Sequence, residues 1–284
     1  MLISNEIAER MRVNRTDRKD LVALIEDDRN YFRAGSKTIY GDGYSVHYLA
    51  GLAHSAAGCM VEFERVHHDG LNELAHDLTQ IGATSVRAYF EGDVSEPILE
   101  RLNFQRTIEN VLIIHPANNV QPFPPGIHVR PATKADDPTK VQLYREDSKR
   151  PDGKDASAED IVRMERQKIE SGYMSGFIVE HENAPVGCFG LSIDGALVRM
   201  KNLMIKASAR GIGGGSSIVR FAQHYAIENG CKAVGVFALA GSAGERLYVK
   251  EGMRHLGTQT EYATPMEAFN LKMIDLEEGQ SYAN

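Results

Sequence analysis

Cysteine is scarce: Cys59, Cys188 and Cys231 are the only three in 284 residues, far apart, odd in number and without a CxxC pair. That spacing excludes a disulfide framework and a thiolate zinc knuckle, and buried free thiols are expected instead. The ten histidines contain no HExxH or comparable ligand spacing, and the pair His67–His68 stands isolated, so no metal is expected. Positive charge is not in excess either. A net charge of -7 and a pI near 5.8 leave no basic stripe to follow a phosphate backbone, so nucleic acid is not an expected partner. No apolar run reaches membrane-spanning length, and Glu6, Glu9 and Arg10 stand where a secretory leader needs its apolar segment. The expectation is a cytoplasmic chain with no membrane partner.

With 42% apolar and 25% charged residues the composition is that of a globular protein, and the length points to two domains. The stretch HPANNVQPFPPGIHVRP, residues 115–131, carries five prolines and a glycine between two apolar runs, which marks a connection between units. The boundary is placed near Pro122, giving domains 1–121 and 122–284. Beyond it IHVRPAT reads as a strand, Asp136 to Ser148 and Ala158 to Ser171 as helices, and GFIVEHENAPVGCFGLSI as two strands around a turn. A strand ALVRMKNLMI, a helix, a strand KAVGVFAL, a short helix GERLYVKEG and a last strand MRHLGTQTEY complete an α+β pattern around a mixed, mostly antiparallel sheet.

The first half repeats part of this order. Residues from His67 to Ile114 can be laid on Ile218 to Tyr262, with Gly82 on Gly230, Val86 on Val234 and, after one insertion, Phe104 on Met253. Two copies of one fold are therefore expected. They differ upstream of the shared helix, where the first half reads EFERVHHDG and the second ARGIGGGSS.

Four of the five residues from Gly211 to Gly215 are glycine, and an amphipathic helix follows at once, with Ile218, Phe221, Ala222, Tyr225 and Ala226 on one face and Gly230 as its stop. Glycine there costs backbone entropy, so the cluster answers a steric demand. A helix start presents unpaired N–H groups and about half a positive charge, which suits a phosphate or diphosphate. A P-loop needs a lysine after its last glycine, where Ser216 stands instead. A dinucleotide fold needs GxGxxG directly after a first strand and an acidic end to the next one, but a linker KASA intervenes and the next strand ends in Leu239.

The remaining pattern, Arg210-Gly211-Ile212-Gly213-Gly214-Gly215 shortly after the strand end Leu203-Met204-Ile205, resembles the GCN5-related N-acetyltransferases (GNAT). The stretch LYVKEGM resembles that family's last helix and turn. The likeness covers about residues 127–263, and residues 40–115 only as a faded copy. It implies two GNAT-like domains, the first degenerate and without a pyrophosphate loop. Two departures stand out: Gly241 replaces an asparagine common in the family, and Met253 a phenylalanine.

The resemblance implies acetyl-CoA as acyl donor, its diphosphate on Arg210 to Ser216 and its pantetheine arm along the backbone of Leu203, Met204 and Ile205, where an N–H also polarises the thioester carbonyl. It implies Tyr248 as the acid that protonates the departing thiolate. The acceptor is then a primary amine of a small molecule or peptide, and a homodimer is compatible with the family. Glu180, His181, Asp194 and Glu245 border the elements concerned, but none is singled out as base. A CoA-binding sensor without chemistry and a scaffold that binds no CoA are the competing readings.

Overall fold

A computed structural model describes residues 15–55, 58–66, 68–90, 99–100, 102–117, 119–146 and 157–270. The leader reading at residues 6–10, His67, much of the first-half stretch aligned with the short helix GERLYVKEG, and the end of the helix expected to run to Ser148 lie outside them. Among the described residues no helix is long and apolar enough to cross a membrane. Cys59 and Cys188 are buried free thiols, and Cys231 is half-buried.

In chain order the elements are α1 (Arg15–Arg33), β1 (Lys37–Gly41), β2 (Tyr44–Tyr48), β3 (Cys59–Phe63), α2 (His68–Gln80), β4 (Ser85–Phe90) and β5 (Gln105–Ile114). The second half adds β6 (Ile127–Pro131), α3 (Asp137–Glu146), α4 (Ala158–Glu170), β7 (Met174–His181), β8 (Ala184–Asp194) and β9 (Leu197–Ile205). It closes with α5 (Gly214–Glu228), β10 (Ala233–Leu239), α6 (Ala243–Lys250) and β11 (Arg254–Pro265). Every element expected from the second half is present, and each expected start lies within two residues of the observed one; β11 runs past its expected end at Tyr262 to Pro265.

These elements pack into two compact units that interleave along the sequence. One comprises residues 15–29, 109–132 and 174–259, the other 30–108, 133–173 and 260–270. The division expected at Pro122 falls inside the 109–132 segment of the first unit. The reason lies in the strands. In the first unit the order is β5-β10-β9-β8-β7-β6, so β5, from the first half of the chain, lies antiparallel beside β10 with Val234 opposite Ile114. In the second unit the order is β1-β2-β3-β4-β11, and the end of β11, from the second half, lies beside β4 with Tyr262 opposite Ala88. Each unit is completed by the other half's last strand.

Both units hold one parallel pair, β9/β10 and β3/β4, each joined through a crossover helix as a parallel connection requires. The remaining pairs named here are antiparallel, which makes a mixed, mostly antiparallel α+β fold.

The sheet of the first unit alternates its side chains onto two faces. Leu112, Val198, Met200, Val234 and Val236 meet Ile218, Val219 and Ala222 of α5 and Tyr248 of α6. Val111, Ile113, Leu197 and Ala233 face the other way and meet Leu24 of α1. A Cβ on Gly235 would stand 2.3 Å from Leu24 Cδ2, so β10 has no room for a side chain where α1 lies against it. In the second unit Leu71, Leu74 and Leu78 of α2 pack on Val46, Val61 and Val86.

Candidate active site

After β9 a single 3-10 turn, Ala207–Ala209, leads into the glycine loop. Gly211 (φ 87°) and Gly213 (φ 100°) occupy the left-handed region that a side chain rarely adopts. Space makes further demands. A Cβ on Gly213 would lie 2.6 Å from Pro124 Cγ, one on Gly215 2.6 Å from Leu247 Cδ2, and one on Gly214 3.0 Å from Ile205 Cδ1. Only Gly211 of the four looks onto open space. The cluster is therefore glycine partly because α5 starts tightly against the connecting segment, β9 and α6.

The helix start itself is bare. Gly213 is its N-cap, no side chain caps it, and the first turn holds no acidic residue. Ser217 N–H makes the first intrahelical bond, to Gly213 O, at 2.9 Å. Arg210, Gly211 and Ile212 are exposed, Gly213, Gly215 and Ser216 half-buried, and Gly214 buried. Arg210 stands beside this start with Nε donating to Ile205 O at 3.4 Å. The positive end of α5 is thus neither neutralised nor covered by a carboxylate of its own first turn.

The strand leading to the loop parts from its neighbour. β9 pairs with β10 only at Leu197 to Arg199, opposite Ala233 to Gly235. Beyond that the edge of β9 facing β10, including Leu203, Met204 and Ile205, has no strand partner among the described residues. A bulge accompanies the divergence: Lys201 opposes Gly190 and Met204 opposes Cys188, so β9 carries one extra residue, and Asn202 takes a left-handed φ of 51°. The first-half counterpart lacks this opening, because β3 ends at Phe63 while still paired with Phe90 of β4.

Tyr248 lies on α6, whose N-cap Ser242 accepts from Glu245 N–H. It is 7% exposed and shares its cluster with Ile218 of α5 and Val236 of β10. Its hydroxyl has no hydrogen-bond partner among the described residues, and burial pushes its pKa up to about 12. At neutral pH the phenol is therefore a proton donor.

Gly241 (φ 73°) turns the chain into α6 and donates its N–H to Glu245. Glu245 also accepts from Asn110 Nδ2 at 2.7 Å and meets His255 Nε2 at 2.6 Å; the bond with His255, then that from Gly241, holds its carboxyl below the usual range. Three partners converging on one carboxylate make it a brace for the β10–α6 corner. Glu180 pairs with Arg130 Nε at 2.8 Å, and with His181 it belongs to β7, two strands from β9. Asp194 opposes Leu197, at the far end of β9 from Ile205. None of the three stands at the divergence.

The sheet face opposite α5 holds a polar cluster that the sequence reading missed. Asp28 of α1 accepts from Arg199 Nη2, from Lys201 Nζ at 2.8 Å and from Gln259 Nε2 at 2.8 Å. Asp27 accepts from Ser192 Oγ at 3.2 Å and Arg199 Nη1 at 3.3 Å, and the Arg199 guanidinium lies 4.0 Å from the centre of the Phe237 ring. All six of these polar residues are buried. The available signal was the run Leu21, Leu24, Asp27, Asp28: two acidic residues continuing an apolar stripe at helical spacing, which places charge inside the fold.

Residues 141–255 match the family model described as the acetyltransferase (GNAT) family. This stretch is a GNAT domain. It includes the divergence, the loop, α5, β10 and α6. Among solved structures, a functionally unknown conserved protein from Staphylococcus epidermidis aligns with a TM-score of 0.59 at 13% identity, over 82% of this chain and 95% of that one. A GCN5-related N-acetyltransferase from Kribbella flavida aligns at 0.55 and 13%, over 86% and 95%. A tandem GNAT protein from the clavulanic acid biosynthesis pathway aligns at 0.50 and 11%, over 78% of each chain. At such identities these structures bear on fold, and the tandem one bears on the doubled architecture. No curated protein matches the chain.

Proposed function

We propose that the chain is a tandem GNAT enzyme, with a degenerate first copy in residues 1–121, that moves an acetyl group from acetyl-CoA to a primary amine of a small molecule or peptide. The observation that carries this reading is the pairing of a strand divergence with an uncapped helix start at its end. The diphosphate of CoA lies against the loop and first turn, from Arg210 to Ser216, and the pantetheine arm pairs with the backbone of Leu203, Met204 and Ile205 as an added strand would. In the first half β3 stays paired with β4 to its end and the first turn of α2 carries Asp69, so no second CoA is expected there.

In the reaction the amine nitrogen attacks the thioester carbon, an N–H of β9 stabilises the oxyanion, and the C–S bond breaks. Tyr248 gives its proton to the leaving sulfur. Buried in the core beside β10, its neutral phenol supports that role. Tyr248→Phe keeps the ring and removes only the proton, so turnover should fall about 10²-fold or more while CoA affinity, read by calorimetry, changes little. Unchanged turnover would show that the phenol is only a packing residue.

Release of free thiol from acetyl-CoA in the presence of a panel of primary amines tests the activity itself. Binding without release favours the sensor reading.

A further inference from the structure

The reading above leaves open where the amine's proton goes, and the polar cluster under α1 answers it. The inference rests on the proposed acyl transfer. If the diphosphate sits at the start of α5, CoA enters from the α5 face, and the acceptor must reach the thioester from the opposite face. The side chains on that face where β9 and β10 part are Arg199 and Lys201 of β9, Phe237 of β10, and Asp27 and Asp28 of α1, which is packed over them.

Lys201 is the second residue past the last β9/β10 pair, at the point of divergence. We propose that Lys201, held there by Asp28 of the first-half helix, takes the proton that the acceptor amine loses.

Chemistry selects it within the cluster. A guanidinium does not deprotonate in proteins, which excludes Arg199. Both carboxylates are surrounded by donors, Asp28 by three and Asp27 by two residues, so each is committed as an acceptor before substrate arrives. Lysine is the member that readily exists in a neutral form when buried. Burial, and next the Arg199 charge, lower Lys201 to about 8, while Asp28 and Asp27 act in the opposite sense. Gln259 of β11 and Ser192 of β8 also border the cluster and carry no charge.

The step balances. A proton passes from the acceptor nitrogen to Lys201 Nζ as the N–C bond forms; the C–S bond breaks and the sulfur takes the Tyr248 proton. Lys201 then releases its proton to solvent and Tyr248 regains one.

The direction of the pH dependence follows. Below pH 8 the ammonium form of Lys201 prevails and cannot accept a proton, so turnover rises through about pH 8 and levels off above it. Asp28→Asn removes a group that raises the lysine pKa, so the rise moves to lower pH. Lys201→Arg keeps charge and hydrogen bonding but cannot act as base; turnover should fall about 10²-fold and the inflection should vanish. Lys201→Met is the companion variant, and acetyl-CoA affinity by calorimetry reports whether each variant is folded.

The assay is thiol release from acetyl-CoA with the best amine of the panel, from pH 6 to about 9.5, a window that spans the lysine transition. Loss of the inflection in both Lys201 variants, with CoA binding kept and the Asp28→Asn profile displaced downward, supports the assignment. A wild-type profile in Lys201→Arg overturns it while leaving the transferase reading intact. Wild-type protein that binds acetyl-CoA yet releases no thiol with any amine overturns both.

Discussion

Ser216→Glu should abolish CoA binding while leaving the thermal midpoint unchanged or slightly raised. Ser216 is the third residue of α5 and half-buried, in a first turn that holds no acidic residue. A carboxylate at that position interacts favourably with the helix N-terminus, typically by about 0.3–1 kcal/mol, so the fold gains. The same carboxylate lies against a bound diphosphate. At about 5 Å and an effective dielectric of 20, one such like-charge pair costs roughly 3 kcal/mol, or more than a hundredfold in affinity. Few substitutions separate stability from binding so cleanly. Gly213→Glu does not, because Pro124 already fills the space beside Gly213 and the backbone there is left-handed. Calorimetric titration with CoA and a melting curve read the two effects, and retained affinity would remove the diphosphate from the start of α5.

The second large effect concerns the first half of the chain. Residues 122–284 alone should neither fold into a stable unit nor bind CoA, and co-expression with residues 1–121 should restore both. Without β5, the edge of β10 from Val234 to Leu239 loses its antiparallel partner. Without α1, the apolar face formed by Leu197, Ala233 and Leu256 is open to water, and Asp28 no longer meets Arg199 and Lys201. An exposed strand edge next to an uncovered apolar face favours aggregation. In the full chain Leu24→Ala should cost about 2–5 kcal/mol, since Leu24 is fully buried against β10. A soluble 122–284 fragment that binds CoA with full affinity would show that the exchanged elements are dispensable.

Much of the second half was legible because local signals and final packing agree there. α5 carries its apolar stripe and its stop at Gly230, and β7 to β10 alternate or run apolar as buried strands do. What the sequence conceals is the partner. The run Val111, Leu112, Ile113 is apolar on both faces, which signals a strand covered on both sides. It does not say that the covering elements include α1 on one side and α5 with α6 on the other. Periodicity reports which face is buried; register and exchange depend on contacts distant in sequence.

The glycine loop shows the same limit at the site. Its composition announces a crowded backbone, but Gly211 faces open space and the crowding at the others comes from the protein itself. Pro124, Ile205 and Leu247 account for the other three. The favourable field at the helix start comes from the main chain and was readable; the lack of a side-chain cap at Gly213 was not, since Ser216 and Ser217 both lie close enough in sequence to be candidates. Asp27 and Asp28 were overlooked for a different reason. Their role depends on α1 reaching a sheet built mostly from residues more than a hundred positions later.

Titration of the wild-type chain with CoA, followed by calorimetry, addresses the main proposal most directly. One CoA per chain is expected, with affinity lost in Ser216→Glu, because a bare helix start and a parted strand pair occur together in the second half and β3 stays paired with β4 to its end. Two molecules per chain, or none, would contradict it.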